Sequence, residues 1–377
     1  MERKKILITI DWFLPGTKSG GPVRSYANMI AHLGSHFDFY IITRDTDYCS
    51  NEVYETIVSN QWNAFNDHTW IYYISESQLN KHTLKQLFKE TAFDHVMVNG
   101  VYSWYFSILP VYYLKKRHKI LVSARGMLNP QAFSVKPFKK KVFLSIAKLF
   151  GLYNNVTFHA TNSDEANCIK SVIGNSTKVR VASNLPRPID QVLPIQKTLS
   201  NPVSYVNISR VSIEKGTLKM ITALQRVKHP MVLDIYGPIY DESYWEKCQE
   251  AMKALPSHVT LNYKGSLDSE DVMHTLASYN FFVLLSEGEN FGHAILEALS
   301  MGCPVIISDK TPWKNLQQKG IGWDINNNDI NALDNVFEVS STMDSEKYGM
   351  ISKNAHTFAK AFSQNEDLIT QNKNLFK

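Results

Sequence analysis

Short apolar runs recur along the chain and alternate with segments whose apolar residues have helical spacing. The run at 281–285 is apolar throughout, which is typical of a strand buried on both faces of a parallel sheet. Helices are predicted between the runs, for example over 78–91 and 107–116. This alternation predicts doubly wound α/β sheets whose ligands bind beyond the carboxyl ends of the strands. The predicted strands are 5–10, 39–43, 68–74, 95–99, 119–123, 156–162, 204–209, 232–236, 259–263, 281–285 and 305–307.

One stretch, residues 286–309, has the pattern of a binding site at the start of a helix. Its sequence is SEGENFGHAILEALSMGCPVIISD, and a predicted strand precedes it. A helix is predicted to begin near Phe291 and to end at Gly302, where glycine followed closely by proline is a stop signal. The first backbone N–H groups of a helix have no partner within it, so those of Asn290, Phe291 and Gly292 are predicted to face an anionic ligand.

Two carboxylates and a histidine belong to the same stretch. Glu289 stands just before the predicted helix, and Glu297 shares a helix face with His293 through i,i+4 spacing. A carboxylate accepts hydrogen bonds from hydroxyls, whereas it gains nothing by facing a phosphate. The ligand is therefore expected to carry both phosphates and sugar hydroxyls. For these residues taken alone, two ordinary helix carboxylates are the alternative.

The spacing Glu289-x7-Glu297 within ENFGHAILEALSMGCPVIISD resembles the donor-site signature of the retaining glycosyltransferases of family 4. These enzymes have the GT-B fold, in which two Rossmann-like doubly wound domains face each other across a cleft. The resemblance runs from Gly20 through the final helix and includes segments similar to a branch that assembles bacterial polysaccharide and lipopolysaccharide. It implies that Glu289 binds hydroxyls of the transferred sugar and that Glu297 binds those of the ribose.

A pair of cations opens the predicted second domain. Arg210 and Lys215 follow the strand at 204–209, and they match the paired cations that hold the donor diphosphate in family 4. Cleavage of the glycosidic bond leaves extra charge on the β-phosphate, and a cation about 4 Å away contributes about 4 kcal/mol at an effective dielectric near 20. Arginine can bind a phosphate in bidentate fashion and lysine as a point charge. Two solvated loop cations are the alternative for this fragment alone.

Three residues of the first domain are assigned to the substrates by the same resemblance. Gly20 and Gly21 precede a helix predicted from about Pro22, and they match a Gly-Gly loop that packs against the donor diphosphate or the acceptor. A plain turn is the other interpretation of these glycines. Arg125 stands where many family members carry a histidine that contacts the donor sugar, so this chain departs from the pattern there. His159 lies in a predicted strand and is interpreted as a structural histidine.

The length of the chain and one proline-rich segment predict two domains. The chain has 377 residues, enough for two separate cores. A segment with several prolines and little periodicity is typical of a linker. The predicted organisation is an N-terminal Rossmann-like acceptor-binding domain at 1–183, a linker at 184–202, a C-terminal Rossmann-like nucleotide-sugar-binding domain at 203–355, and a helix at 356–377 that crosses back to the first domain.

Charge and composition exclude several classes of protein. A net charge of +5 with 44% hydrophobic and 20% charged residues describes an ordinary globular chain and does not predict nucleic acid as a partner. The four cysteines form no CxxC pair, so neither a zinc site nor a disulfide framework is predicted. Asp45-x-Asp47 is similar to the metal-binding motif of a different glycosyltransferase fold, but one such pair is common by chance and the GT-B fold does not need that metal. No metal and no cofactor are expected, since the nucleotide sugar is a co-substrate.

A segment rich in lysine and apolar residues is relevant to the predicted location of the protein in the cell. The N-terminal residues lead straight into a strand and no stretch is apolar enough to cross a membrane, so a cytoplasmic protein is expected. Residues 136–151, KPFKKKVFLSIAKLFG, have the pattern of a helix that could lie on the anionic inner face of the cell membrane. A core-facing helix with snorkelling lysines is the alternative. The basic residues at 115–119 would add to the same patch.

The resemblance and the residues together predict a retaining, hexosyltransferase-type glycosyltransferase. It would move a sugar from a nucleotide-diphosphate sugar donor to a glycan or lipid-linked acceptor, in cell-surface polysaccharide or lipopolysaccharide synthesis. A double displacement needs a carboxylate beneath the anomeric carbon, and none is evident in the sequence, which agrees with same-face attack. Two rivals stay open: a nucleotide-sugar 2-epimerase on the same fold, and a non-catalytic partner in a membrane assembly.

Overall fold

The chain folds into two compact units. The computed structural model describes residues 3–129, 137–188 and 197–377. Unit 1 comprises Met1–Pro188 and Asn365–Lys377, and unit 2 comprises Ile189–Gln364. The linker predicted at 184–202 spans the first junction, but its residues 189–196 lie outside the described part of the chain, so it stays a prediction.

Unit 1 is built around a sheet that is parallel apart from one edge. Within the described residues the strand order is β3-β4-β2-β1-β5-β6-β7-β8, and β3 runs antiparallel to β4. The first strand is thus flanked by the second on one side and by β5 on the other, as in a doubly wound sheet. The strands are β1 Lys4–Thr9, β2 Phe37–Arg44, β3 Trp62–Asn66, β4 Thr69–Ile74, β5 His95–Asn99, β6 Lys119–Ser123, β7 Thr157–Ala160 and β8 Lys178–Val181.

Helices cover this sheet, and the last of them comes from the far end of the chain. The helices of unit 1 are α1 Gly21–Leu33, α2 Lys81–Glu90, α3 Leu109–Leu114, α4 Pro137–Leu149, α5 Ser163–Ile173 and α12 Glu366–Asn374. Helix α12 packs against α1, and the buried ring of Phe376 just beyond it lies 5.3 Å from that of Phe37. Arg180 on β8 donates to the carbonyl of Leu375 at 2.8 Å.

Unit 2 repeats the doubly wound pattern with a smaller sheet. Its described strands all pair in parallel, in the order β11-β10-β9-β12-β13-β14, so β9 lies between β10 and β12. The strands are β9 Val203–Ile208, β10 Met231–Tyr236, β11 Val259–Tyr263, β12 Phe281–Leu284, β13 Val305–Ser308 and β14 Gly322–Ile325. The helices are α6 Thr217–Leu224, α7 Glu242–Lys253, α8 Asp271–Ala277, α9 His293–Ser300, α10 Ile330–Ser341 and α11 Ser345–Ser363.

The predicted fold class is confirmed by these two parallel-sheet α/β units. All four residues of β12 are buried, as expected of a central strand covered on both faces. Residues 356–377, predicted as one crossing helix, are divided between α11 in unit 2 and α12 in unit 1. Asn365 caps α12 by accepting a hydrogen bond from the N–H of Asp367, and a capping residue at this position begins a new helix.

Candidate active site

The candidate site lies where the order of strands in the sheet of unit 2 reverses, between β9 and β12. Strands β9 and β12 are neighbours in the sheet although two strands, β10 and β11, separate them in sequence order, and Phe281 pairs with Tyr205. Ligands of doubly wound sheets bind beyond the carboxyl ends of strands at such a switch point. The loops that follow β9 and β12 meet there, where the N–H of Glu287 donates to the carbonyl of Glu214 at 2.8 Å.

A glycine allows the two loops to approach closely. Gly216 precedes α6 with a φ of +70°, in the left-handed region. A Cβ at this position would lie 2.1 Å from the carbonyl oxygen of Leu285, at the end of β12. Because that oxygen belongs to the backbone, a side chain could be accommodated only if the loops separated. Gly216 therefore fixes the position of the residue before it, Lys215.

Lys215 and Glu289, predicted to act on the same ligand, are brought together by these loops. The Lys215 Nζ lies 2.6 Å from the Glu289 Oε1, and the side chains keep 21% and 11% of their exposure. The two predicted residues thus form a half-buried ion pair at the switch point. A lysine in this position presents positive charge, and the carboxylate beside it keeps a second oxygen available to accept hydrogen bonds.

Arg210, the other predicted cation, has a fixed backbone and an exposed side chain. The N–H groups on either side of it donate to the carbonyls of Tyr236 and Pro238, at 2.9 and 3.1 Å, which ties this segment to the end of β10. The side chain makes no hydrogen bond or ion pair with the described residues. It is a cation beside the end of β9, on a segment that two neighbouring hydrogen bonds hold in place.

Helix α9 starts later than the sequence predicted. Its first residue is His293, because Gly292 adopts a φ of +80° and cannot continue a helix. Asn290 and Phe291 therefore lie in the loop. The Ile295 N–H donates to the Gly292 carbonyl at 3.0 Å, so the N–H groups at the very start of the helix belong to His293 and Ala294.

Phe291 and His293 are held by packing around the start of α9. The Phe291 ring lies 5.5 Å from Trp313, whose indole N–H donates to the Phe291 carbonyl. His293 is buried, and its ring lies 4.7 Å from that of Phe291. These contacts fix the loop that carries Glu289. Glu297 is half-buried one turn beyond His293, on the same face of α9.

Three polar atoms at the end of β12 or in the loop that follows it are buried without a hydrogen-bond partner in the described part of the chain. They are the Ser286 Oγ, the Asn290 Oδ1 and the Asn327 Oδ1. The other end of the Asn327 amide donates to the Leu285 carbonyl at 3.0 Å, which places this side chain at the same strand end. Buried polar atoms are normally paired, so the unpaired oxygens of Ser286 and Asn327 at this strand end, and of Asn290 in the loop that follows it, indicate a polar ligand or ordered water.

A second charged cluster in this loop is not predicted by the sequence. The Glu287 carboxylate accepts a hydrogen bond from the Lys219 Nζ at 2.7 Å and another from Lys310. The hydrogen bonds from Lys219 and Lys310 hold the pKa of Glu287 below its ordinary value. Glu287 stands two residues from Glu289 in sequence, but its partners come from α6 and from beyond β13, and no local pattern predicts that contact.

The predicted residues of unit 1 lie at the start of α1 and in the loop after β6. Gly20 has a φ of +80° and caps α1, and a Cβ on Gly20 or Gly21 would meet no atom within 4 Å, so backbone at this loop faces open space. Arg125 follows β6, where its guanidinium lies 4.6 Å from the centre of the Tyr26 ring and donates to Asn184. The structure thus involves Arg125 in packing within unit 1, and the substrate contacts of all three residues stay predictions.

Asp11 and His159 are two further polar residues of unit 1 whose side chains are held by hydrogen bonds. Asp11, which no sequence motif indicates, follows β1 and accepts a hydrogen bond from the Ser103 Oγ at 2.8 Å. Burial raises the pKa of the Asp11 carboxyl above its ordinary value. His159 has partners at both ring nitrogens, the Ser123 Oγ at 2.8 Å and the Ala182 carbonyl at 2.9 Å, as a structural histidine should.

Comparison with known proteins identifies the second unit. Residues 194–364 match the sequence model of the family described as glycosyl transferases group 1. Unit 2 is a glycosyl transferases group 1 domain. The match contains both loops of the switch point, with Lys215 and Glu289. The GT-B fold predicted from the sequence is therefore the fold of this chain, since similar solved structures with this architecture extend over both units.

Two relatives share part of this sequence. The O-antigen chain mannosyltransferase B of Escherichia coli is 28% identical over 145 residues, which are 36% of this chain and 37% of the relative. The sulfoquinovosyl transferase SQD2 of Arabidopsis thaliana is 25% identical over 123 residues, 32% of this chain and 22% of the relative. The aligned parts span well under half of either relative.

A solved structure shares the fold over nearly the whole length. HepE of Anabaena, crystallised with UDP and glucose, superposes with a TM-score of 0.69 and covers 99% of this chain and 98% of its own. Its sequence identity to this chain is 16%. At that identity the likeness shows the fold, and it extends beyond the segment matched by the glycosyl transferases group 1 model.

The described residues contain neither a group of side chains suited to a metal ion nor a helix suited to span a membrane. Within the described ranges no three His, Cys, Asp or Glu side chains are grouped so as to hold a metal ion. Asp45 accepts a hydrogen bond from the Ser59 Oγ at 2.7 Å, and Asp47 accepts one from the Thr17 N–H at 3.0 Å, so both carboxylates are engaged by neighbouring segments of unit 1. No described helix is long and apolar enough to cross a bilayer.

Proposed function

We propose that the protein is a retaining glycosyltransferase that moves a sugar from a nucleotide-diphosphate sugar to a glycan or lipid-linked acceptor. The observation that carries this proposal is the Lys215–Glu289 ion pair, which brings a cation and a hydroxyl acceptor together at the switch point of a glycosyl transferases group 1 domain. A sugar diphosphate needs both kinds of group within a few ångströms of each other.

The diphosphate would bind to positive groups around the end of β9. Lys215 supplies a point charge, Arg210 supplies a planar donor on an exposed side chain, and the first turn of α9 supplies backbone N–H groups. Negative charge grows on the leaving phosphate during transfer. Cations that are already in position stabilise that charge without reorganising, and this is the largest contribution to catalysis that we assign to the protein.

The sugars would bind to carboxylates and to the unpaired polar atoms. Glu289 would accept hydrogen bonds from hydroxyls of the transferred sugar, and Glu297 from those of the ribose. The unpaired oxygens of Ser286, Asn290 and Asn327 would gain partners from the same ligand. Recognition of hydroxyls by buried polar atoms is selective, because a ligand that lacks the hydroxyl leaves the atom unpaired.

Retention of configuration is assigned from the resemblance to family 4. Glu289 is engaged by Lys215, so it is poorly placed to act as a free nucleophile in a double displacement. We therefore favour attack by the acceptor on the face from which the diphosphate departs. The leaving phosphate oxygen would accept the proton of the acceptor hydroxyl, and no metal would be required.

Two similar proteins support a proposal about the substrates. One relative is named as an O-antigen chain mannosyltransferase, and HepE was crystallised with UDP and glucose. We propose a role in cell-surface polysaccharide or lipopolysaccharide synthesis, with the protein in the cytoplasm. An acceptor carried on a lipid would require the protein to reach the membrane surface.

The test is a screen of the purified protein against sugars linked to uridine, guanosine and adenosine diphosphate. We expect a thermal shift with at least one donor and release of nucleoside diphosphate that depends on Lys215. The variant Lys253→Gln, which removes a lysine from an exposed ion pair on α7, is the matched control. Product analysis without acceptor separates the epimerase, which would change the sugar and form no glycoside. Absence of binding to every donor, or equal turnover in Lys215→Gln, would contradict the proposal.

A further inference from the structure

Helix α4 exposes a stripe of large apolar side chains. Phe138, Val142, Ile146 and Leu149 recur at helical spacing, with Phe150 following directly, and their relative exposures run from 41% to 80%. These five residues, called the apolar stripe below, lie along one side of the helix. Soluble proteins rarely expose a contiguous apolar surface without using it.

The other side of α4 is packed, so the helix has a defined orientation. Ala147 is buried, and the Phe143 ring lies 5.5 Å from that of Tyr102 in unit 1. The residues just after the helix are fixed as well, because the Lys115 Nζ donates to the carbonyls of Gly151 and Leu152. Lys115, predicted to add to a basic surface patch, is instead used to hold this end. The apolar stripe therefore faces outwards because the inner face is occupied.

Lysines border the apolar stripe on both sides. At about 100° per residue, Lys139 falls at one edge of it, between Ile146 and Phe150, and Lys141 and Lys148 fall beyond the other edge. All three are exposed. Residues 137–163 contain no Asp or Glu, so nothing within the segment neutralises these charges. Lys136, the first residue of the predicted amphipathic segment, lies outside the described residues.

The positive surface continues from Lys148 into a cavity of unit 1. The cavity has a volume of about 1090 Å³, and it is also lined by Lys119, Lys178 and Arg180. No Asp or Glu side chain is among the described residues that line it. A surface on which apolar groups project between cations is complementary to lipid headgroups that carry negative charge above an apolar layer.

We propose that the apolar stripe of α4 docks on an anionic lipid bilayer. The stripe enters the boundary between headgroups and acyl chains, while Lys139, Lys141 and Lys148 contact the headgroup phosphates. A second copy of this chain fits the face less well, because a symmetric contact would bring the same lysines of both copies together. The inference goes beyond the proposed transfer reaction and does not depend on it, since docking needs neither donor nor acceptor.

Sedimentation with vesicles, in the absence of any nucleotide sugar, tests this inference. The native protein is expected to bind vesicles of phosphatidylcholine mixed with phosphatidylglycerol, and to bind phosphatidylcholine alone much more weakly. Combining Lys139→Gln, Lys141→Gln and Lys148→Gln should lower binding to the anionic vesicles about 100-fold. Combining Phe138→Ser, Ile146→Ser and Leu149→Ser should lower it at least about tenfold.

A matched control removes exposed apolar groups elsewhere. Ile330 and Met350 of unit 2 are 57% and 58% exposed, and Ile330→Ser with Met350→Ser should leave vesicle binding unchanged. Thermal unfolding of each variant verifies that the fold is intact. Failure of the native protein to bind anionic vesicles, or equal binding by native protein and the stripe variant, would overturn the inference. Self-association that the stripe substitutions abolish, without vesicle binding, would also overturn it and assign the face to a second copy.

Discussion

Lys215 and Glu289 are 74 residues apart in sequence, and their side chains form an ion pair of 2.6 Å. Both charged side chains are largely removed from solvent. Leaving either charge without a partner would therefore lower the stability of the folded protein. The pair neutralises both while no ligand is bound. A ligand with a phosphate beside sugar hydroxyls can replace part of this contact without leaving either charge unpaired, so the pair keeps the site formed before the ligand arrives.

Removing either member of this pair should lower turnover strongly. Lys215→Gln takes away a charge that stabilises the leaving phosphate, and loss of one such group typically costs about 10² to 10³ in rate. Glu289→Gln keeps the shape but weakens the contact with sugar hydroxyls and leaves Lys215 unpaired. Initial rates of nucleoside diphosphate release from a nucleotide sugar provide the measurement.

The control for these variants is an ion pair on the surface of α7. Glu250 and Lys253 are 73% and 72% exposed, and replacing both with glutamine should leave rate and melting temperature unchanged. The double variant of Lys215 and Glu289 should be less impaired than the sum of its single variants, since the two residues are coupled. Additive losses would show that the pair does not act as a unit.

Arg210 should matter for donor binding and not for stability. Its side chain is exposed and makes no hydrogen bond or ion pair with described residues, so Arg210→Gln is expected to change the free energy of unfolding by less than about 0.5 kcal/mol. The same substitution should weaken UDP binding by about tenfold to 100-fold, the equivalent of one hydrogen bond to a charged group. Arg210→Lys should recover part of the affinity. Titration calorimetry with UDP compares the three proteins, and equal affinities would remove Arg210 from the site.

Gly216→Ala should damage both stability and activity. An alanine there would have a φ of +70° and a Cβ 2.1 Å from the Leu285 carbonyl oxygen. The left-handed conformation alone costs about 1–2 kcal/mol, and relieving the clash would part the loops that carry Lys215 and Glu289. Urea unfolding should show a loss of at least about 2 kcal/mol. Gly288→Ala is the control, because its Cβ would meet no atom within 4 Å, and a comparable loss in that variant would refute the explanation.

Acidification should destabilise the protein through His159. Burial, and then the charge of Arg125, lowers the pKa of His159 from 6.5 to about 4. The unfolded chain therefore binds more protons than the folded one in this range, and the free energy of unfolding should fall as pH decreases from about 6.5 towards 4.

The substitution His159→Asn can isolate the contribution of His159 to the pH dependence of stability. His159→Asn should be less stable than the native protein at neutral pH, because it loses partners at Ser123 and Ala182, yet its stability should fall less steeply towards acid. His95, whose pKa is also lowered to about 4 by burial, accounts for part of the remaining slope. Urea unfolding at a series of pH values measures the slopes. His82→Asn, at an exposed position of α2, should behave as the native protein does, and an unchanged slope in His159→Asn would contradict the assignment.

Strands in the middle of the sheets could be predicted well from sequence. The predicted strands at 95–99 and 119–123 agree with β5 and β6 to the residue. The strand predicted at 259–263 also agrees with β11, although β11 lies at the edge of the sheet of unit 2. A strand in a parallel sheet forms a continuous apolar run, and such a run ends where the chain leaves the sheet. The edge strands β3 and β8 were missed, because their residues are half or fully exposed and do not form apolar runs.

The sequence predicts which residues belong to the candidate site, but it does not predict which of them contact each other. Glu289, Lys215 and Arg210 were found through their resemblance to a family signature. The contact between Lys215 and Glu289 depends on β9 and β12 being neighbours, and a strand order is not visible in local sequence. The start of α9 was placed too early, although Gly292 is a residue type that favours the left-handed conformation found there. Glu287 was missed because both of its partners are distant in sequence.

The grouping of α12 with unit 1 has a consequence for synthesis on the ribosome. The residues of unit 2 all precede α12 in the chain, whereas the ring of Phe376, which packs on Phe37, comes after them. Domains generally fold as their residues emerge, with the earlier one ahead. Here the earlier unit must wait with part of its apolar interior uncovered until translation has passed through the later one, so the later unit can reach its native state first.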